Sequence, residues 1–227
     1  MNRAVRLASK FATYTTAAGA ASLGGFFFYT RRAEFVPFSL ADDPIVASAT
    51  YKKLNAFGND GLHDYYVRKV PLDQVKPELL ADEGKLVEKL CGGVWGGFGY
   101  DIQRKYLARK YRGPETSTQL WDPPELLSSS YPVGTCITDH FEVVARSPTT
   151  VTIRCGDSPR NSGPRASDGI FEISAEVNRD EGVALLGVKS IFFKGDGPGE
   201  PIPQHIVVLH RLYSKLMLES ATRNVCK

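Results

Sequence analysis

The chain has 227 residues, with 28 Lys and Arg against 25 Asp and Glu and a net charge of +3 at pH 7. A hydrophobic fraction of 42%, with twelve Phe and ten Tyr, is ample for the core of a folded domain and excludes an intrinsically disordered chain. Five basic residues precede the first acidic residue, Glu34, so the rest of the chain is slightly acidic. This distribution argues against a nucleic-acid-binding domain, which needs positive charge on its folded part.

An uncharged stretch of twenty residues lies near the N-terminus, at residues 11–30, with basic residues on both sides. A helix of this length extends about 30 Å, which matches the hydrocarbon core of a bilayer. Residues 3–10 place basic side chains opposite apolar ones on a helical wheel and contain no acidic residue, a pattern typical of mitochondrial targeting segments. Residues 1–32 therefore form a predicted anchor or targeting helix, with a retained single span, a cleaved presequence and a secretory signal as the open alternatives.

The anchor interpretation makes the chain a single-pass membrane protein that contacts the bilayer through residues 11–30. A mitochondrial membrane is the favoured location, and the endoplasmic reticulum is the alternative. Because basic residues lie on both sides of the stretch, the positive-inside rule gives no preferred orientation.

Residues 33–59 are predicted to be a linker, because prolines and acidic residues interrupt every periodic pattern and the apolar residues are scattered. Residues 60–227 then form the predicted folded domain. Its first predicted strand covers residues 65–70, and a helix with one apolar face is predicted from about Gly84 onward.

A glycine-rich stretch follows at residues 91–100, where five glycines surround Trp95 and Phe98. A phosphate-binding loop would need a strand directly before it and a Gly-Lys-Ser/Thr sequence after it, and this stretch has neither. We therefore predict that the glycines allow close packing against the sheet, with Trp95 and Phe98 reaching into a cavity. A loop that closes over a pocket is the alternative.

Basic and aromatic residues are interleaved over residues 104–112. This composition is typical of a solvated helix face. Binding to an anionic membrane surface is the functional alternative that agrees with an N-terminal anchor.

Four segments in the second half of the chain alternate between apolar and polar residues, at residues 134–146, 151–155, 171–177 and 183–193. Hairpin-length links between most of them predict an antiparallel meander. A Gly- and Pro-rich breaker then precedes apolar residues at helical spacing over residues 206–221. These predict a helix of about 20 residues whose apolar face packs on the inner face of the sheet.

This order of elements resembles the START-like, polyketide-cyclase-like helix-grip superfamily, in which a curved antiparallel sheet packs on a long C-terminal helix. The resemblance implies an α+β helix-grip domain over residues 60–227 with an internal pocket. The superfamily includes lipid carriers, hormone receptors and cyclases, so it specifies a fold far better than a reaction. The segments that resemble a fungal branch of it are residues 133–135, 139–143, 154–159, 168–172, 187–190 and 210–213.

Asp139 is the first candidate for acid–base catalysis. Period-two alternation places it in line with Ile137 and Phe141, so its carboxyl group would face the pocket among apolar groups and have a raised pKa. The alternative is a position at the rim of the sheet, bonded to Arg160 or Arg165.

Three further residues are candidates for the same site. Lys189 interrupts an apolar strand, and it is either a counter-ion of Asp139, a ligand contact or a lysine whose charged end reaches solvent. His210 and Tyr213 lie one helical turn apart and are candidate catalytic residues that border the cavity. A histidine satisfied within the core is the alternative for His210.

The remaining predicted contacts belong to ligand binding. Phe141 and Phe171 are predicted to face inward from their strands. Arg160 and Arg165 lie in a long loop at the predicted pocket mouth, where they could receive a carboxylate or phosphate, or form salt bridges that hold the loop. The four Cys and four His show no metal-ligand spacing, so no metal and no cofactor are predicted.

These observations lead to three functional hypotheses. The first is a membrane-tethered protein that binds a hydrophobic small molecule, such as a lipid, quinone, isoprenoid or polyketide. The second is an acid–base cyclase, isomerase or dehydratase of fungal secondary-metabolite biosynthesis. The third is a mitochondrial membrane assembly factor that uses its basic and glycine-rich segments to bind a protein partner.

Overall fold

The computed structural model describes residues 22–199 and 202–227. The chain divides into two compact units, Met1–Arg32 and Ala33–Lys227. In the first unit residues 22–29 are helical, whereas the predicted targeting segment and residues 11–21 of the predicted span lie outside the described residues. Within the described residues, no helix is both long enough and apolar enough to cross a bilayer.

The second unit is an α+β domain, as the sequence predicts. Its described residues contain one seven-stranded sheet, with the strands β1 (Glu34–Phe35), β2 (Leu62–Pro71), β3 (Cys136–Ile137), β4 (Phe141–Arg146), β5 (Thr150–Gly156), β6 (Asp168–Asn178) and β7 (Val183–Phe193). Their order in the sheet is β1-β2-β7-β6-β5-β4-β3, and neighbouring strands are antiparallel. The predicted meander from β4 to β7 is confirmed.

The first long strand pairs with the last one, so the segment between β2 and β3 leaves the sheet and covers its inner face. The C-terminal helix follows β7 and packs against this segment and against β2. The helices are α1 (Pro44–Ala47), α2 (Ala49–Leu54), α3 (Pro77–Leu80), α4 (Glu83–Gly96), α5 (Phe98–Tyr111), α6 (Pro123–Ser128) and α7 (Gln204–Val225).

The glycine-rich stretch is where α4 meets α7. A Cβ atom on Gly93 would lie 2.6 Å from the carbonyl oxygen of Ala221 and 2.8 Å from its Cα, so only glycine fits this contact. The helix is interrupted at Gly97, between α4 and α5. Gly99 of α5 also packs closely against α7, since its Cβ atom would lie 3.0 Å from the Cβ atom of Ser220. Gly93 and Gly99 thus allow close packing, but they pack against a helix and not against the sheet as predicted.

Residues 33–59 do not form the predicted linker, because they fold against the sheet. They contribute β1 to the sheet edge and place α1 and α2 on the outer face, where Ile45, Tyr51 and Leu54 pack against apolar residues of β6 and β7. Asp43 and Ser48 accept hydrogen bonds at the N-termini of the two helices. The apolar residues look scattered in the sequence because each helix is shorter than two turns.

Candidate functional site

A cavity of about 340 Å³ lies between α7, the α4–α5 pair and the inner face of the sheet. It is at the end of the sheet where β4 and β6 begin and where β5 and β7 end. Five residues predicted for the site line it, namely Trp95, Phe141, Phe171, His210 and Tyr213. Gln103, His140, Gly156, Ser167, Phe192, Ser214 and Met217 complete the lining.

Aromatic rings form one wall of the cavity. The ring centroids of Trp95 and Phe141 are 4.5 Å apart, and those of Trp95 and Phe171 are 5.7 Å apart. Tyr100 packs edge-on against Trp95 at 5.1 Å. Because α4, α5, β4 and β6 supply these rings, the wall is part of the hydrophobic core of the domain.

The opposite wall is one face of α7, formed by His210, Tyr213, Ser214 and Met217 at helical spacing. The Tyr213 hydroxyl donates a hydrogen bond of 2.8 Å to Oε1 of Gln103, which tethers α7 to α5 at the cavity edge. Burial raises the pKa of Tyr213, so this residue stays protonated and acts as a donor at neutral pH.

A buried polar cluster lies behind this wall. Asp64 of β2 is fully buried, and its Oδ2 atom lies 3.3 Å from Nε2 of His210. Ser214 lies 3.3 Å from the same nitrogen, and it donates a long hydrogen bond of 3.5 Å to Oδ1 of Asp64. Asp64, His210 and Ser214 therefore form one group, and both α7 members line the cavity.

Sequence reasoning did not identify Asp64, Ser214 or Gln103. For Asp64 the signal was the alternation of Leu62, Asp64 and Tyr66, which puts the carboxylate on the buried side of a strand. For Ser214 it was the one-turn spacing from His210. Burying a carboxylate without hydrogen-bond donors costs free energy, so an Asp in phase with buried apolar residues of a strand indicates a polar partner inside the domain.

His140 lines the cavity from the sheet side. Its ring packs against that of Tyr111 at a centroid distance of 4.8 Å, with the two planes tilted by 54°. Burial lowers the pKa of His140, so the imidazole is neutral at pH 7. The cavity thus has histidines on two walls, and the ring of His210 lies 3.3 Å from a carboxylate.

Asp139 lies outside the cavity lining, contrary to the predicted alternation. Thr138 and Asp139 have φ angles of 50° and 57°, so the chain turns between β3 and β4 and does not continue as one strand. The Asp139 carboxylate accepts hydrogen bonds from Arg160 at 2.9 Å and Ser158 at 2.8 Å. Burial acts to raise its pKa, but these bonds and that of Gln119 outweigh burial, so the pKa is lowered and not raised as predicted for a catalytic acid. The bond to Arg160 is the alternative that was predicted for Asp139.

Lys189 is not the counter-ion of Asp139. It lies on the outer face of the sheet, where its Nζ atom is 2.7 Å from Oδ2 of Asp43. Its neighbours Ile191 and Phe193 also face outward, because the outer face is covered by residues 33–59. The inward residues of this part of β7 are Ser190 and Phe192, of which Phe192 lines the cavity.

The two predicted arginines hold the loop between β5 and β6. Arg160 bonds Asp139 and also Glu115, at 2.6 Å. Arg165 is buried and donates hydrogen bonds to the carbonyl oxygens of Asn161 and Asp157. Neither arginine lines the cavity, so of the two predicted uses of these residues the structure shows loop stabilisation.

Phe98 is half exposed and does not line the cavity, because the break at Gly97 turns it toward solvent while Trp95 points inward. The basic run lies on α5. Ile102 and Tyr106 are exposed on this helix, together with Lys105 and Arg109. Its outer face thus mixes apolar and basic side chains.

The chemistry available in the cavity is hydrogen bonding and proton transfer in apolar surroundings. Among the described residues, no group of three or more His, Cys, Asp and Glu is placed to hold a metal ion.

The chain matches no protein-family model, and comparisons with curated proteins and with solved structures likewise return no match.

Proposed function

We propose that the protein is a membrane-tethered helix-grip protein that binds a hydrophobic small molecule in the cavity beneath α7. The observation that carries this proposal is the cavity of about 340 Å³ between the C-terminal helix and the sheet. Small-molecule sites typically occupy roughly 300 to 1,000 Å³ and combine apolar walls with a few convergent polar groups. The cavity has both properties.

The helix-grip assignment is supported by topology. The first long strand, β2, pairs with the last strand, β7, and α7 returns over the inner face after β7. This arrangement agrees with the superfamily that the sequence resembles. A helix that contacts the sheet along only part of its length leaves space beside it, and the cavity occupies that space.

The size and lining of the cavity limit the guest. A volume near the lower end of the usual range suits one compact molecule, such as an isoprenoid, quinone or polyketide, better than a phospholipid with two acyl chains. Trp95, Phe141, Phe171 and Phe192 supply flat aromatic surfaces for it. Attachment of residues 11–30 to a mitochondrial membrane would place the cavity near the apolar phase in which such molecules dissolve.

A second candidate function is acid–base catalysis on the same guest, as a cyclase, isomerase or dehydratase. The observation that favours it is the His210 imidazole on the cavity wall with the buried Asp64 carboxylate 3.3 Å behind it. An imidazole oriented by a carboxylate is a suitable general base. Asp139 has no part in this candidate because its carboxylate is bonded to Arg160.

The test is retention of a guest by the full-length chain. Protein purified from membranes is extracted with organic solvent, and the extract is analysed by mass spectrometry. We expect a hydrophobic compound in stoichiometric amount from the wild type and its loss from Phe171→Trp, which fills the cavity. Phe193→Trp is the matched control, because it enlarges a buried aromatic residue on the outer face and should retain the guest. Equal guest content in the two variants would contradict the proposal.

A further inference from the structure

The buried cluster behind the α7 wall indicates which class of guest the cavity takes. We infer that the guest carries an uncharged hydroxyl group that hydrogen-bonds Ser214 and His210, and that Asp64 excludes guests with an anionic head. This inference rests on the proposed binding function and specifies the ligand of that site.

The first step concerns the hydrogen-bonding capacity of Asp64. A carboxylate offers about four acceptor positions, and burying it without donors is costly. Among the described residues, the one polar neighbour of Asp64 Oδ2 is the His210 ring, at 3.3 Å. The one hydrogen bond to Oδ1 from another described side chain is the long bond from Ser214, at 3.5 Å. The cluster therefore has fewer donors than its carboxylate can use.

A second buried polar atom without a partner lies beside it. Ser190 is fully buried and is the register partner of Asp64 on the neighbouring strand β7. Within the part of the chain that the structure describes, its Oγ atom has no hydrogen-bond partner. Two adjacent strands thus place unsatisfied polar atoms on the inner face, next to the wall formed by His210 and Ser214.

The second step concerns the polar groups that reach the cavity from this cluster. Ser214 is a donor and an acceptor, and the ring nitrogens of His210 add further hydrogen-bonding groups. A guest hydroxyl can donate to one of them and accept from the other, whereas a hydrocarbon can do neither. Because Ser214 and His210 lie on one face of α7, a single hydroxyl can contact both.

The third step concerns charge. The charged groups predicted to receive an anion do not line the cavity, since Arg160, Arg165 and Lys189 bind Asp139, loop carbonyl groups and Asp43. Asp64 is instead a buried acidic group next to the cavity. An anionic head at Ser214 would lie beside this carboxyl group, and like charges repel more strongly in surroundings of low dielectric than in water.

The experiment compares three molecules that share one two-ring skeleton: naphthalene, 2-naphthol and 2-naphthoate. At pH 7 the naphthol is neutral and the naphthoate is an anion. Binding of each to the full-length chain is measured by titration calorimetry, and partition into detergent is the same for every variant. We expect wild-type protein to bind 2-naphthol about tenfold more tightly than naphthalene, which corresponds to one well-formed hydrogen bond, and to bind 2-naphthoate most weakly.

Three variants test the assignment. Ser214→Ala should lower the affinity for 2-naphthol toward that for naphthalene, and Asp64→Asn should raise the affinity for 2-naphthoate. Asp43→Asn is the matched control, since it neutralises a buried carboxylate on the outer face of the sheet and should keep the wild-type order. Ser214→Ala removes one hydroxyl and decides the question even if Asp64→Asn fails to fold.

The outcomes separate the two proposals. If wild-type protein binds 2-naphthoate as tightly as 2-naphthol, or 2-naphthol no more tightly than naphthalene, the inference about the head group is overturned and the binding function stands. If none of the three molecules binds, the binding function itself is overturned.

Discussion

The Nε atom of Arg68 on β2 lies 3.4 Å from Oε1 of Glu219 on α7, in an ion pair that is buried on both sides. A second polar pair, Asp64 with His210, joins the same two elements. Four residues of strand separate the two β2 positions, and nine residues of helix separate the two α7 positions. Each spacing corresponds to about 13 Å, so the two pairs match in length and hold α7 in one register on β2. This register places His210 and Ser214 at the cavity.

The first prediction concerns this ion pair. Glu219→Leu should lower the free energy of unfolding by about 3 kcal/mol, because it leaves the Arg68 guanidinium buried without its counter-charge. The double variant Arg68→Met/Glu219→Leu should recover most of the loss, since two apolar side chains replace the pair. Urea denaturation of both variants measures the difference. If the double variant is as unstable as the single one, packing and not the unpaired charge is the cause.

The second prediction concerns the segment that covers the outer face of the sheet. Asp43→Ala removes both the hydrogen bond from Ile45 N at 2.9 Å and the 2.7 Å contact with Lys189. Losing a helix cap costs about 1 kcal/mol, and the unpaired Lys189 adds to this. We expect faster amide hydrogen exchange over residues 44–54 with unchanged exchange in α7. Asp42→Ala, at the exposed neighbouring position, is the control and should exchange like the wild type.

Because α1 and α2 cover the outer face of the sheet, the sequence predicts the strand β7 correctly but not which of its faces is the inner one. Antiparallel strands and the C-terminal helix follow from apolar periodicity, and the structure contains them. In β7, however, Phe192 faces the cavity while Ile191 and Phe193 face α2, so both faces are apolar and alternation does not identify the inner one. Lys189 was associated with the cavity for this reason.

The turn at Asp139 shows a second limit of sequence periodicity. The pattern from Ile137 to Phe141 fits one strand, but two consecutive residues with positive φ angles separate β3 from β4. Neither Thr138 nor Asp139 is a glycine, and one Asp, although this residue type is enriched at positive φ angles, does not interrupt the alternating pattern. Its stability comes from tertiary contacts, including the hydrogen bond of 2.7 Å from Asp139 N to Oε1 of Gln119, and such contacts have no local signature.

The third prediction is a pH dependence that comes from Asp139. Hydrogen bonds from Arg160, Ser158 and Gln119 lower its pKa in the folded state below the value of about 3.9 in the unfolded chain. A lowered pKa stabilises the fold above the unfolded-state pKa, and this contribution is lost as the pH falls through the folded-state pKa. Asp139→Asn should therefore lose less stability than the wild type between pH 5 and pH 2. Parallel slopes in urea denaturation over this range would contradict the assignment.

The fourth prediction concerns the contact between α4 and α7. In Gly93→Ala the new methyl group would lie 2.6 Å from the carbonyl oxygen of Ala221, and backbone atoms cannot move aside as a flexible side chain can. We expect a loss of about 2 to 3 kcal/mol in the free energy of unfolding, as for other overpacked cores. The shift of α7 should also weaken binding of 2-naphthol, because α7 forms one wall of the cavity.

Gly84→Ala is the matched control in the same helix. Its methyl group would lie 3.0 Å from Oδ1 of Asp82, an atom that accepts a long N-cap hydrogen bond of 3.3 Å from Lys85 N. A flexible side chain can give way by a few tenths of an ångström, and alanine has the higher helix propensity, so this variant should stay within about 1 kcal/mol of the wild type. If both substitutions destabilise the protein equally, the close approach of α4 and α7 is not what requires glycine at position 93. If only Gly93→Ala weakens the binding of 2-naphthol, the position of α7 controls the shape of the cavity.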